Sequence, residues 1–144
     1  MNTNTPEIEV AQPGALDAFW QRVDREWRSE LWNFRVVWHE QLHDLAIAEG
    51  GETVAALRLR VAASLGHIVA LYVVPQRRRC GLGRALVSRA DGIANYFNCH
   101  KMSVEVFDKH AAQVFFERCD YKTEAVLPQH TFKLDVAVMR KFLL

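Results

Sequence analysis

The stretch VVPQRRRCGLGRALV, Val73 to Val87, decides how the chain is read. Three arginines run into two glycines, and an apolar pattern of helical spacing follows at once. Upstream, HIVALYVV (His67 to Val74) is a near-continuous apolar run, as expected of a strand buried on both faces, and Pro75 ends it. Downstream, GLGRALVSRADGIANYF places Leu86, Val87, Ala90, Ile93, Ala94 and Phe97 on one side of a helix. The arginines and glycines therefore join a strand end to a helix start. First-turn amides have no intrahelical acceptor, and the helix dipole makes that end positive, so an anion fits there. Gly81 and Gly83 would let a phosphate approach the backbone, and flanking arginines would add charged hydrogen bonds. A P-loop needs GK[ST] and a dinucleotide fingerprint needs GxGxxG; neither is present. On spacing alone two readings stand: a pyrophosphate cradle, or an exposed basic turn whose glycines serve only the backbone.

Around this stretch the periodicity alternates between strand and helix. A short strand is expected at Glu7 to Val10. Leu16, Phe19, Trp20, Val23, Trp27 and Leu31 predict a helix from about Pro13 to Glu30. Four tryptophans (Trp20, Trp27, Trp32, Trp38) cluster there and are read as core and pocket wall rather than a cofactor box. DLAIAEGGETVAALRLRV predicts a hairpin turning at Gly50-Gly51. KMSVEVF is a further strand. DKHAAQVFFERC is a helix with Asp108 as N-cap. Pro128 interrupts the tail before a last strand in KLDVAVMRKFL. The order predicts a mixed α/β sheet with helices on both sides.

Composition narrows the class. A chain of 144 residues fits one domain spanning residues 1–144. Its formal net charge of +1 gives no global attraction to nucleic acid. Three cysteines (Cys80, Cys99, Cys119) form no CxxC pair, which argues against disulfides or zinc and for a reducing compartment. No metal-ligand spacing such as HExxH occurs. The opening MNTNTPEIEV lacks the basic and apolar regions of a signal peptide, and no apolar run has membrane-spanning length. The expectation is a cytoplasmic protein with no nucleic-acid or membrane partner.

Pro75-x-x-Arg78-x-x-Gly81-Leu82-Gly83-Arg84 resembles the R/Q-x-x-G-x-G/A motif with which the GNAT family of N-acetyltransferases grips the pyrophosphate of acetyl-CoA. Leu71-Tyr72-Val73 matches that family's L-x-V, and AAQVFFERCDY (Ala111 to Tyr121) resembles its second signature, A-x-x-L-Y-E-K-x-G-F. The resemblance covers Ala46 to Leu144 well and the N-terminal helix loosely. It implies a single-domain acyl-CoA N-acyltransferase fold: a mixed, mostly antiparallel sheet, helices on both faces and a splayed central strand. It implies acetyl-CoA as cosubstrate, an amine of a small molecule or peptide as acceptor, and a possible homodimer. Strand amides of Leu71, Tyr72 and Val73 would bind the pantetheine arm, with the Val73 amide polarising the thioester oxygen. Arg78, Arg79, Cys80, Gly81, Leu82, Gly83 and Arg84 would hold the pyrophosphate, and Arg77 would be solvated. Glu105, in Val104-Glu105-Val106, matches a glutamate that serves as base in the branch acetylating protein N-termini. An ordinary outward-facing strand glutamate is the alternative.

The departures from the family pattern are specific. The tyrosine that often protonates the departing thiolate is Phe116 here, which packs but cannot donate; Tyr72, Tyr121 or water would stand in. The glycine of G-F is Asp120, which tolerates positive φ. His67 is a second candidate base, read more simply as a half-exposed histidine. His39, Glu40, His43 and Asp44 are a candidate acceptor cluster, read more simply as a solvated loop. Cys80 and Cys119 are read as packing residues. A non-catalytic acyl-CoA-binding module is the alternative function, since Phe116 removes a proton donor.

Overall fold

Gly50 and Gly51 both take positive φ, as a two-residue hairpin turn requires, and they set the register of the first two strands. In the computed structural model, residues 5–27 and 40–143 are described. They fall in two compact units, Met1–Trp38 and His39–Leu144.

The first unit holds helix α1 (Asp17–Arg22), followed by one π-helical turn, Val23–Trp27. Phe19 packs edge-on to Trp20 and tilted against Trp27, and Arg22 lies 4.8 Å over the Trp27 ring. The helix is shorter than its apolar spacing suggested: Pro13 sits in a turn, and Leu16 is the N-cap. No strand forms at Glu7 to Val10, where Ile8 and Val10 are exposed. Trp20 and Trp27 also keep exposed surface, so neither is a buried core ring. The expected end of the helix at Glu30, with Trp32 and Trp38, lies outside the described residues.

The second unit is a six-stranded sheet. In chain order its strands are β1 (Gln41–Glu49), β2 (Glu52–Ala62), β3 (Leu65–Val73), β4 (Lys101–Phe107), β5 (Lys122–Thr131) and β6 (Leu134–Phe142). Across the sheet the order is β1-β2-β3-β4-β6-β5. Only β3 and β4 run parallel, and the crossover they need is helix α2 (Leu82–Tyr96). Helix α3 (Ala111–Arg118) joins β4 to β5. Its N-cap is His110, whose Nδ1 accepts from the Ala112 amide at 3.1 Å, so the expected cap at Asp108 is displaced by two residues. Asp108 instead continues the sheet, its amide donating to the Asp135 carbonyl. Pro128 does not interrupt the chain: β5 runs through it at the sheet's rim, where a missing amide costs no ladder bond.

The core lies on one face. Ala55, Leu57, Leu59 and Val61 of β2 alternate inward, as do Met102, Val104 and Val106 of β4. Leu86, Val87, Ala90 and Ala94 of α2 and Phe116 of α3 close over them in one cluster. A half-buried polar tie crosses this layer. Tyr121 donates to Asp91 Oδ1 at 2.7 Å, and Lys141 donates to Asp91 Oδ2 at 2.8 Å. Burial first, then the Asp91 contact, pushes the Tyr121 hydroxyl far above its ordinary pKa.

The feature that shapes the molecule is where β3 leaves β4. Their ladder runs from Leu65↔Lys101 to Ile68↔Val104 and stops. At that point β3 carries a bulge: Leu59 pairs with Ile68 but Arg58 pairs with Ala70, leaving Val69 extra. Beyond it β3 follows β2 as far as Val73, while β4 follows β6 as far as Phe107. The sheet opens as a V. The expectation that His67 to Val74 is buried on both faces fails for this reason: Val69 and Tyr72 are exposed on the opened stretch.

Gly66 sits on the closed side, where a Cβ would meet Met102 Sδ at 2.5 Å and Ala94 Cβ at 3.0 Å. Gly66→Ala should therefore push α2 off the sheet and destabilise the protein by about 1–3 kcal/mol, read as a lower urea midpoint at unchanged slope.

Candidate functional site

The V is one wall of a cleft of about 1150 Å³. Its sides are β3 from Ile68 to Val73 and β4 from Val104 to Val106. Its mouth is the arginine–glycine loop with the first turn of α2, and α3 closes it through Ala112, Phe115 and Phe116. Leu71, Tyr72, Val73, Arg78, Arg79, Gly81, Leu82, Gly83, Arg84, Glu105 and Phe116 all line it. Cys80 does not. Its exposed thiol turns back into the loop, donating to the Arg78 carbonyl at 3.4 Å and accepting from Arg77 Nη1 at 3.5 Å. It is thus neither a cleft residue nor the packing residue expected; Cys119 is buried as expected.

Strand parity decides which backbone groups face the gap. The Val74 amide donates to the Val54 carbonyl at 2.9 Å, so the amides of Val74, Tyr72 and Ala70 point to β2. Those of Leu71 and Val73 then point into the V, with nothing from β4 to pair them. The expectation for Tyr72 is corrected accordingly: its amide belongs to the sheet, and only its side chain reaches the cleft. The Val73 carbonyl faces the same way and is taken by Arg78 Nε at 2.9 Å, with the guanidinium 5.4 Å from the Tyr72 ring.

At the mouth, Gly81 caps α2 in the left-handed region at φ +83°, and a Cβ there would meet nothing within 4 Å. The first helical bond is Ala85 N to Gly81 O at 3.0 Å, so the amides of Leu82, Gly83 and Arg84 have no intrahelical acceptor. No side chain among the described residues caps them. The two glycines have different tasks. Gly81 is open to solvent, whereas a Cβ at Gly83 would lie 3.2 Å from Phe115 Cζ. Gly83 thus lets α2 approach α3. Arg79 and Arg84 line the cleft without a carboxylate partner among the described residues. Arg77 is not free in solvent as expected: Glu49 grips it with Nε and Nη2 contacts of 2.9 and 2.7 Å, tying the loop to the first hairpin.

Glu105 stands just past the last closed rung of the V, on the face opposite Val104 and Val106. His67 is on that same face, half-buried, with Nδ1 2.6 Å from Ser103 Oγ. Burial first, then the charge of Arg60, lowers its pKa, and Glu105 pulls the other way. Phe116 is buried, edge-on to Phe115 and Tyr121. Tyr121 is not in the cleft, and its hydroxyl is committed to Asp91, so it cannot replace the missing donor. Tyr72 remains within reach. Asp120 adopts φ +69°, as its place in the second signature required.

The acceptor cluster expected at His39 to Asp44 does not assemble. His39 lies outside the described residues. His43 stacks toward Phe97 on the core face of β1, while Asp44 pairs with Arg58 on the other face. β1 is also the rim strand farthest from the V on its side. Sequence reasoning missed the Val69 bulge and the cleft residues Phe115, His110 and Arg118. The second signature carried Phe115 and Arg118 in plain view; nothing marked Val69.

The lowered pKa of His67 has a stability consequence. The unfolded chain, with an ordinary histidine pKa of about 6.5, takes a proton before the folded one does. Stability should fall as pH drops through that value and level off once the folded imidazole is protonated. His67→Asn should flatten that part of the denaturation-midpoint profile.

The family model described as Acetyltransferase (GNAT) family matches residues 13–121, most of the chain. No curated protein matches it. An acetyltransferase structure from Bacillus cereus superposes with a TM-score of 0.78 at 19% identity, over 96% of this chain and 98% of that one. A ribosomal-protein-alanine N-acetyltransferase from Brucella melitensis gives 0.62 at 20% identity, over 71% and 69%. Nourseothricin acetyltransferase gives 0.65 at 15% identity, over 70% and 65%. At these identities the likeness is one of fold.

Proposed function

The chain belongs to the acetyltransferase (GNAT) family, and on that premise we propose that it moves an acetyl group from acetyl-CoA to a primary amine of a small molecule or peptide by direct attack. The observation that carries this reading is the conjunction of two open features in one cleft: unpaired Leu71 and Val73 amides in the V, and uncapped first-turn amides behind Gly81. A long ligand with amides in its middle and a diphosphate beyond them suits that spacing.

In this reading the diphosphate lies against the amides of Leu82, Gly83 and Arg84, with Arg79 and Arg84 beside it. Arg78 releases the Val73 carbonyl to the pantetheine arm and turns toward the phosphates. The Leu71 and Val73 amides then bind the arm and the thioester oxygen, the latter gaining negative charge as the amine attacks. Glu105 takes the proton from the acceptor ammonium group, without which nitrogen has no lone pair to attack with. The thiolate needs little help in leaving, because thiol pKa values lie near 8–9, so Phe116 slows the reaction without forbidding it. Tyr72 or water supplies the last proton.

The names of the related structures specify a protein alanine in one case and nourseothricin in another, which supports keeping both peptide and small-molecule amines as acceptors. Phe116 is the one observation that favours a non-catalytic acyl-CoA-binding module. Tryptophan quenching by CoA, run beside thiol release from acetyl-CoA with a panel of amines, separates the two. Binding without turnover on any amine would select the module.

Gly81→Val should cost at least tenfold in acetyl-CoA affinity by titration calorimetry. Because φ +83° itself disfavours valine, Gly81→Asn separates loop strain from lost space, since asparagine tolerates that region. Both variants should bind weakly, and wild-type affinity in both would refute the cradle. Glu105→Gln should lower kcat by about 10²-fold or more with acetyl-CoA affinity unchanged. A pH–rate profile identical to wild type would remove Glu105 from the mechanism.

A further inference from the structure

The closed end of the V holds a polar group for which the acyl-transfer reading has no task. On the face away from the core, Arg60, His67, Ser103 and Arg140 stand opposite one another in register across β2, β3, β4 and β6. His67 is held there by the 2.6 Å contact of Nδ1 with Ser103 Oγ. Glu105 follows Ser103 by two residues on the same strand, so its carboxylate leaves the same face as the imidazole, about 7 Å along the strand, near enough for its charge to act on the ring but without a direct contact. Glu105 lines the cleft and His67 does not. The imidazole therefore stands behind the carboxylate, on the side away from the proposed thioester.

We propose that His67 is the second member of a proton-accepting pair with Glu105, drawing off the proton that Glu105 takes from the acceptor ammonium group. The proposal rests on the acyl-transfer reading above. It takes the tautomer in which Nδ1–H is donated to Ser103 Oγ, leaving the lone pair on Nε2. The ammonium group gives its first proton to the Glu105 carboxylate, and the resulting carboxyl passes it through one water to Nε2. Glu105 is then a carboxylate again while the neutral amine attacks. As the C–N bond forms and the C–S bond breaks, the electron pair leaves on sulfur, the thiolate takes a proton from Tyr72 or water, and the second nitrogen proton replaces the one that donor gives up. The imidazolium discharges the first proton to solvent. The sum is one amide, one thiol and one proton from one ammonium ion and one thioester.

Half-burial and Arg60 keep the ring neutral and ready to accept, while Glu105 favours it once charged. The other charged groups on this face come from β2, β4, β5 and β6. Arg58 is held by Asp44 and Lys101 by Glu124, which leaves Arg60, Arg140 and its register partner Lys122 to press the proton onward to solvent. His67 acts through Glu105 and is a positioning residue, not a substrate-touching one.

His67→Asn tests this, because asparagine can still donate to Ser103 Oγ but has no Nε2 base. With any amine that the wild type acetylates, kcat should fall roughly tenfold or more while the KM for acetyl-CoA and the melting temperature hold. The acidic limb of the wild-type kcat/KM profile should track the His67 midpoint measured by ring-proton NMR, and in the variant it should move to lower pH. Glu105→Gln should shift the His67 NMR midpoint downward, a readout independent of turnover and of whether His67→Asn folds. A variant as active as wild type with an unmoved limb, or a His67 midpoint indifferent to Glu105→Gln, overturns the pair. A wild-type chain that binds acetyl-CoA but acetylates no amine overturns the acyl-transfer reading instead, and the relay with it.

Discussion

Everything in the second unit depends on β3 having two neighbours and being unable to keep both. The bulge at Val69 gives β3 one residue more than β2 can match, and the strand bends to follow β2. β4 is held by seven registered pairs to β6 and does not follow. Backbone groups that a closed sheet would have paired are left facing a gap, and an unpaired buried amide is costly unless water or a ligand meets it. The sheet thereby trades some ladder bonding for a slot with donors at fixed spacing. The two walls of that slot are stiff because each is bonded on its far side to another strand.

The helices then give the slot a floor and a mouth. α2 can lie close to the sheet because Gly66 has no side chain, and close to α3 because Gly83 has none. The same helix begins at the only one of these glycines with open space around it, Gly81. One element thus seals the core at its middle and presents free amides at its start. The Asp91 tie to Tyr121 and Lys141 fixes that element against the beginning of β5 and the end of β6. The position of the mouth relative to the slot is therefore set by core packing rather than by the loop itself.

Much of this was legible because local chemistry and tertiary context agreed. Gly50-Gly51 allows only a tight hairpin, and Lys101–Phe107 alternates so regularly that the strand could be bounded to the residue. The open, uncapped start of α2 was legible through Gly81. What escaped had no local signature. Val69 looks like any other strand valine, and its extra place appears only when β2 is laid beside it. Glu49 and Arg77 are 28 residues apart, so their pairing belongs to the fold. Asp108 has the chemistry of a cap, but the β4–β6 ladder claims its amide and His110 takes the task. In the first unit, apolar spacing suggested helix from Pro13, whereas the chain turns until Leu16.

Pro128 carries a consequence of a different kind. β5 forms one rim of the sheet, and a rim is a template on which a foreign strand can continue the ladder. Proline offers no hydrogen there, and the register of β5 is already irregular between Leu127 and Thr131. A stranger aligned along this margin would meet a broken row of donors and fall out of step within a few residues. That margin is thereby guarded against fibrous growth, by a residue that takes no part in the cleft.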